Sequence, residues 1–318
     1  MEAGKRFGTV QSSIKFLDQA DNTTDKNTID SVSGNNPTAH LPINRSQEIK
    51  AVLSLAWPAV ALNGLQMLNS LLDTFFIGGL SSSSLTAHGG ALNIIFLVFS
   101  LAMCISVGST ALVSRAYGAN NPSEYRMANR QCIALAHWVG IGLGVLAALI
   151  AMFAAAHLVP DNDPEAAILI KNFLLFWAIS IPASTVIQAL AGSMRGIGDT
   201  RSPMFISGIQ IGLHMILNML FIFEKGHLHQ FNFFGNAFAL RQLIGLNMGL
   251  PGAGLALSCS AIVSMFIYLI YSKRTKLESG FVLEFPKKEW VQRIMRIALP
   301  SAFRRSFGWV HSQFLPLF

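Results

Sequence analysis

Charge is scarce in this sequence. Only 12% of its 318 residues are Asp, Glu, Lys or Arg, about half the share of an average soluble domain, which is too little polar surface to coat a soluble fold. Cysteine is scarcer still. Cys104, Cys132 and Cys259 stand in different apolar runs at no metal-ligand spacing, which excludes a disulfide scaffold and a thiolate zinc centre and leaves them as small core residues. No Lys-Ser or Lys-Thr follows Gly196-Ile197-Gly198 or Gly252-Ala253-Gly254, so neither piece is a phosphate loop. Apolar residues, by contrast, make up 52% of the chain, 23 of them Phe, and the mean hydropathy is +0.48. This composition excludes a disordered chain and a coiled coil, and it points to an integral membrane protein.

Residues 1–47 are polar and of low complexity, as in Asp21-Asn22-Thr23-Thr24-Asp25, and are expected to form a flexible tail. No apolar stretch of signal-peptide length precedes Ala51, so the first long apolar run is expected to stay in the protein as an anchor. Six apolar runs follow, at about 50–72, 88–112, 131–156, 166–190, 203–223 and 252–271, each near the ~20 residues that carry a helix across ~30 Å of hydrocarbon. The expected fold class is therefore an all-α integral membrane protein with six transmembrane helices in residues 48–272.

Positive charge orients it. Lys5, Arg6, Lys15, Lys26, Arg45 and Lys50 precede the first run, Arg115, Arg126 and Arg130 lie in the second connection, and Arg195 and Arg201 in the fourth. The first, third and fifth connections hold only Lys171, Lys225 and Arg241. Positive residues stay inside during insertion, so the amino terminus is expected in the cytoplasm of a multi-pass plasma-membrane protein, here a bacterial inner membrane. The net charge of +7 is then juxtamembrane charge facing lipid, and no nucleic-acid partner is implied. Residues 273–292 set Phe281, Phe285 and Trp290 among lysines and are expected to be a basic interfacial connector. A seventh apolar run begins near Ile294, but Arg304 and Arg305 interrupt it.

An ionisable side chain inside a span is a functional candidate by default. Asp73 is that residue, near the end of the first run, with Ser70, Asn69, Gln66 and Asn63 spread over one broad face behind it and Pro58 upstream, where a missing N–H permits a bend. Gln210, His214 and Asn218 repeat at i, i+4 and i+8 in the fifth run, one face of one helix. If that stripe meets Asp73, a proton can be bound and released there as a cavity opens alternately to each side. Asn63, Gln66, Gln210 and Ser258 either line such a cavity or hydrogen-bond one helix to another, and Asp73 itself either faces that cavity or reaches interfacial water. His88, His137 and His157 carry no partner motif; His227 and His229 share the fifth connection with Glu224, the one alternative place for a metal, and no metal site is expected. No nucleophile with a base at plausible spacing lies in the runs, so the chain is not expected to be an enzyme and needs no organic cofactor.

Several pieces resemble the multidrug and toxic compound extrusion (MATE) family of cation-coupled transporters. Leu55-Ala56-Trp57-Pro58 and Asp73-Thr74-Phe75-Phe76-Ile77-Gly78 are similar to the family's first helix, and Leu112-Val113-Ser114-Arg115-Ala116-Tyr117-Gly118-Ala119 resembles its second-to-third connection. Ala191-Gly192-Ser193-Met194-Arg195-Gly196-Ile197-Gly198-Asp199-Thr200-Arg201-Ser202-Pro203-Met204 resembles the fourth-to-fifth connection, and Pro251-Gly252-Ala253-Gly254-Leu255-Ala256 the start of the sixth helix.

The resemblance implies one six-helix MATE-type lobe, normally followed by a second, with 293–318 as a truncated start of that second lobe. It implies a secondary antiporter that exports organic, often cationic, drug-like compounds in exchange for protons or sodium. Its first-helix Asp falls on Asp73 and its helix-bending proline on Pro58; its fifth-helix Asn and Asp fall on His214 and Asn218, so one carboxylate is missing. Its sixth-helix Thr falls on Leu257, beside Ser258. A proton is then the expected coupling ion over sodium, since a hard cation needs oxygen ligands. Small-molecule substrates, the bilayer and a second lobe or another copy are the implied partners. A truncated, non-transporting lobe and a lipid-linked precursor flippase are the alternatives.

Overall fold

Polar caps and prolines start the helices where the apolar runs require them. Ser81 Oγ accepts from Ser84 N at 3.0 Å, Asn121 Oδ1 from Glu124 N at 3.2 Å and Asp163 Oδ1 from Ala166 N at 3.0 Å. Pro122 and Pro164 follow two of these caps in the first turn, where a missing N–H costs nothing. The computed structural model describes residues 45–158, 163–226, 228–233, 236–241, 244–278, 280–298 and 300. The expected tail up to residue 44, His227, and the residues from 301 onward that include Arg304 and Arg305 lie outside the described residues.

Helix α1 spans Arg45–Gly78, α2 Ser82–Gly118, α3 Pro122–Ala154, α4 Pro164–Ala178, α5 Ser180–Gly196, α6 Arg201–Ile222 and α7 Leu250–Lys273. Each of the six apolar runs falls within one helix, except the fourth, which is broken. Among the described residues α2, α3, α6 and α7 are long and apolar enough to cross a membrane, and α4 with α5, bent by 47° at their break, pass the same test only as a pair, a broken span or a re-entrant loop. The 34 residues of α1 would reach ~50 Å at ~1.5 Å each, longer than the hydrocarbon. The chain is an all-α, multi-pass membrane protein.

The break at Ile179 has a local cause. Pro182 stands in the first turn of α5 and cannot donate to the carbonyl four residues back. Hydroxyls serve neighbouring carbonyls instead: Ser180 Oγ donates to Trp177 O at 2.7 Å and Ser258 Oγ to Phe176 O at 2.6 Å. A second feature lies in the fifth connection, where Leu228–Phe233 and Asn236–Arg241 pair as an antiparallel hairpin, Leu228 opposite Arg241 and Phe233 opposite Asn236. Loop residues fold back beneath it onto α6, Leu246 N donating to Leu220 O at 3.0 Å and Met248 N to Phe221 O at 2.9 Å.

The core is two apolar clusters, one at each end of the bundle. One gathers Val113, Tyr125, Cys132, Met194, Tyr268, Leu277 and Ile294 at the arginine-bearing end; the other gathers Phe76, Ile77, Ala87, Phe173, Trp177, Phe223 and Leu250. Small residues let helices approach between them. Ser109 Oγ donates to Ala189 O at 2.7 Å and Thr110 Oγ1 to Gly192 O at 3.0 Å, while a Cβ on Gly192 would stand 2.4 Å from Ser106 O. Past α7 the chain runs back along α3, and a helical stretch, 288–298, sets Ile294 Cγ2 3.1 Å from where a Cβ on Gly108 would lie.

Candidate functional site

Helix α1 is held to the bundle near its carboxyl end. Phe76 and Ile77 are buried there, and Phe76 meets Phe223 edge-on with centroids 6.2 Å apart. Upstream, Leu53, Val60, Met67, Leu68 and Leu71 are all exposed. Pro58 is buried within this helix, which runs through it without a break.

Asp73 lies five residues before the end of α1, its side chain 14% exposed. Asn69, one turn back, donates from Nδ2 to Asp73 Oδ2 at 3.1 Å. From α6, Asn218 Nδ2 donates to Asp73 Oδ1 at 2.6 Å, and His214 Nε2 lies 2.9 Å from the same oxygen. His214, 3% exposed, and Asn218 are one turn apart, with Asn218 Nδ2 3.1 Å from His214 Nε2. The i, i+4 spacing on each helix delivers both side chains to one point, so α1 and α6 are clasped by a single, partly buried carboxylate.

The chemistry follows from donor and acceptor counts. A charged Asp73 takes N–H donors from Asn69, Asn218 and His214, and the Asn218–His214 contact is then donor against donor. A proton on Oδ1 reverses the bond to His214, whose Nε2 must then accept, with its other ring nitrogen carrying the hydrogen. Which of the two donates across the Asp73–His214 contact is set by the imidazole tautomer. Oxygen ligands for a metal cation are few: Asn69 Oδ1 and Asn218 Oδ1 are the buried oxygens of the cluster without a partner. Among the described residues no group of three or more His, Cys, Asp or Glu side chains could hold a metal ion.

The other candidates lie elsewhere. Asn63 and Gln66 are exposed on α1, and Gln210 is half-buried one turn before His214. Ser258 is buried, its hydroxyl committed to the Phe176 carbonyl at the helix break. Between α1 and α6 an open, almost wholly apolar cleft of about 730 Å³ is lined by Trp57, Leu65, Leu68, Met204, Phe205 and Ile209, among others. It begins about five residues, ~8 Å of helix, from the Asp73 cluster, so the two helices meet at the carboxylate and part beyond it.

Two residues in this region were named in the sequence reading but given no role. Asn69 stood in the polar stripe, and its four-residue spacing from Asp73 was the signal for their direct bond. His88, the seventh residue of α2, is buried, with neither ring nitrogen bonded and its ring edge-on to Phe173 at 6.0 Å. It sits about as far past the α1–α2 turn as Asp73 sits before it.

The MatE family model matches residues 58–220. The probable multidrug resistance protein NorM of Thermotoga maritima is 28% identical over 267 residues, 83% of this chain and 53% of its own. The multidrug export protein MepA of Staphylococcus aureus is 23% identical over 269 residues, 81% of this chain and 52% of its own. Among solved structures, a MATE family transporter of the MOP superfamily in an outward-facing conformation matches with TM-score 0.65 at 22% identity, over 80% of this chain and 52% of that one. The Vibrio cholerae MATE transporter VcmN in its bent form matches with TM-score 0.70 at 19% identity, over 85% and 56%. At these identities the structures show a shared fold. The chain spans about half the length of the relatives it matches.

Proposed function

Since this chain belongs to the MATE family, whose model it matches over more than half its length, we propose that it works as one lobe of a secondary antiporter that exports organic, often cationic, drug-like compounds in exchange for protons. The observation that carries this reading is the Asp73–His214–Asn218 clasp, a carboxylate 14% exposed inside a long helix and held by N–H donors from another. An ionisable group at such a place is costly to bury and marks an ion pathway by default.

Asp73 holds a proton when the cleft is closed to drug and yields it when a cationic compound enters, the apolar body of that compound lying between Trp57 and Phe205. Protonation changes which way the His214 bond runs and so biases how α1 sits against α6, a two-state element of the kind exchange requires. A proton suits the site better than sodium because Asn69 and Asn218 turn their N–H groups to the carboxylate, where a hard cation needs oxygens. The arginine-bearing connections face the cytoplasm. The match covers only 53% of the Thermotoga maritima relative, so a second set of helices, in the same polypeptide or a second copy, closes the cleft opposite.

The test is proton release. Adding tetraphenylphosphonium to the purified chain in weakly buffered detergent should release protons from the wild-type protein and not from Asp73→Asn, with both proteins equally folded by circular dichroism. Equal release from the two would remove Asp73 as the exchanged site.

A further inference from the structure

The segment that follows α7 has two faces of different chemistry. Its inner face is fixed. Leu277 and Val282 are buried in the core at the arginine-bearing end. Glu278 pairs with Arg126 at 2.5 Å and Glu284 pairs with Arg130. Arg126 Nε donates to Lys276 O at 3.2 Å, Trp138 Nε1 to Glu284 O at 3.3 Å, and Lys287 N to Gln131 Oε1 at 2.7 Å. These partners all lie on α3, so the segment is a strap laid along that helix from Arg126 to Trp138, ~18 Å at ~1.5 Å per residue.

The outer face is apolar and positive. Phe281, Leu283 and Phe285 are 52%, 60% and 74% exposed. Phe285 stacks on Trp138, ring centroids 4.2 Å apart and planes at 10°. Lys287 and Lys288 are exposed. Glu278 and Glu284 are taken up by α3 arginines and do not offset these lysines; Glu289, the next residue, is exposed as well and leaves the 287–289 end with a net charge of +1. Among the described residues neither lysine has a carboxylate in ion-pair reach.

The depth of this face can be counted along α3. From Gln131 to Ala154 the helix has no charged residue, and all its exposed large apolar side chains except Met127 lie past Trp138: Val145, Leu146, Leu149, Met152 and Phe153. Twenty residues back from Leu158, the end of the short 3-10 turn after α3, reach Trp138, and ~20 residues make the ~30 Å of hydrocarbon. Trp138 therefore stands at the hydrocarbon boundary, the level that interfacial aromatics favour, and the strap's outer face stands beside it.

We propose that this strap docks on the anionic headgroup layer of the inner leaflet: Phe281, Leu283 and Phe285 enter the interface alongside Trp138, and Lys287 and Lys288 pair with lipid phosphates. Aromatic and aliphatic side chains at the hydrocarbon boundary meet lipid before they can meet a soluble protein, and two lysines without partners supply the complementary charge. The docking holds the start of the 288–298 helix, whose Ile294 packs on α2, in register with the bilayer.

Amide hydrogen exchange of the full chain tests this in nanodiscs of phosphatidylcholine alone and of phosphatidylcholine with phosphatidylglycerol. Exchange over residues 281–288 should slow about five- to thirty-fold with phosphatidylglycerol, the gain expected of two surface lysines. The gain should vanish in about 1 M salt, where the screening length is ~3 Å, and in the K287Q/K288Q variant, whose substituted side chains are exposed and leave the fold intact. Equal exchange in the two lipids, or a gain that survives K287Q/K288Q, overturns the proposal. Protection in phosphatidylcholine alone that appears only with two chains per disc gives the face to a second copy and overturns it equally.

Discussion

Replacing Gly192 by alanine tests the seam on which the bundle closes. A Cβ there would lie 2.4 Å from Ser106 O and 3.0 Å from Ser106 Oγ, where carbon and oxygen settle at ~3.3 Å or more, so α5 must withdraw from α2 by roughly 1 Å. That movement lengthens the Ser109–Ala189 bond from 2.7 Å and the Thr110–Gly192 bond from 3.0 Å, each past the limit of a good hydrogen bond. Overpacking of about 1–3 kcal/mol and two lost bonds of about 0.5–1.5 kcal/mol each, less about 1 kcal/mol gained by alanine over glycine in a helix, leave a net loss of about 1–5 kcal/mol. The free thiol of Cys132, 0% exposed, reports unfolding to a thiol-reactive dye in a heating ramp. Gly142→Ala, where an added Cβ meets nothing within 4 Å, is the control and should hold or raise the transition. The reasoning fails if Gly192→Ala unfolds at the same temperature as Gly142→Ala.

Other substitutions separate the parts of the site. His214→Gln keeps an N–H within reach of Asp73, whereas His214→Leu leaves a largely buried carboxylate one donor short, about 1.5–3 kcal/mol; Leu should lower the unfolding temperature by several degrees and Gln should not, and equal effects would deny the bond a role. Ser258→Ala should lose about 0.5–1.5 kcal/mol by removing one of two donors to the Phe176 carbonyl, which keeps Ile179 N at 3.3 Å, with efflux per folded molecule unchanged in proteoliposomes; reduced efflux would return the hydroxyl to the transport cavity. Gly208→Leu narrows the apolar cleft, and about 1–3 kcal/mol of crowding when ligand enters corresponds to roughly five- to hundred-fold weaker binding of ethidium by fluorescence anisotropy; unchanged binding would place the drug outside that cleft.

Much of this protein was legible in its sequence because bilayer thickness imposes a length on every span. The apolar runs located the helices, the scarcity of charge excluded a soluble fold, and the motifs around Asp73 and Gly196 carried the family resemblance. Four-residue spacing put His214 and Asn218 on one face, which was enough to name both as possible partners of Asp73. Periodicity describes a helix only with respect to itself. How far one helix is rotated and slid against another depends on packing between residues distant in the chain, and that decided the rest. It brought His214 and Asn218 onto Asp73, turned Ser258 away to a backbone carbonyl at the Ile179 break, and buried His88 against Phe173. It also laid the strap along α3, because two glutamates in one segment and two arginines in another fix a register that neither segment reveals alone.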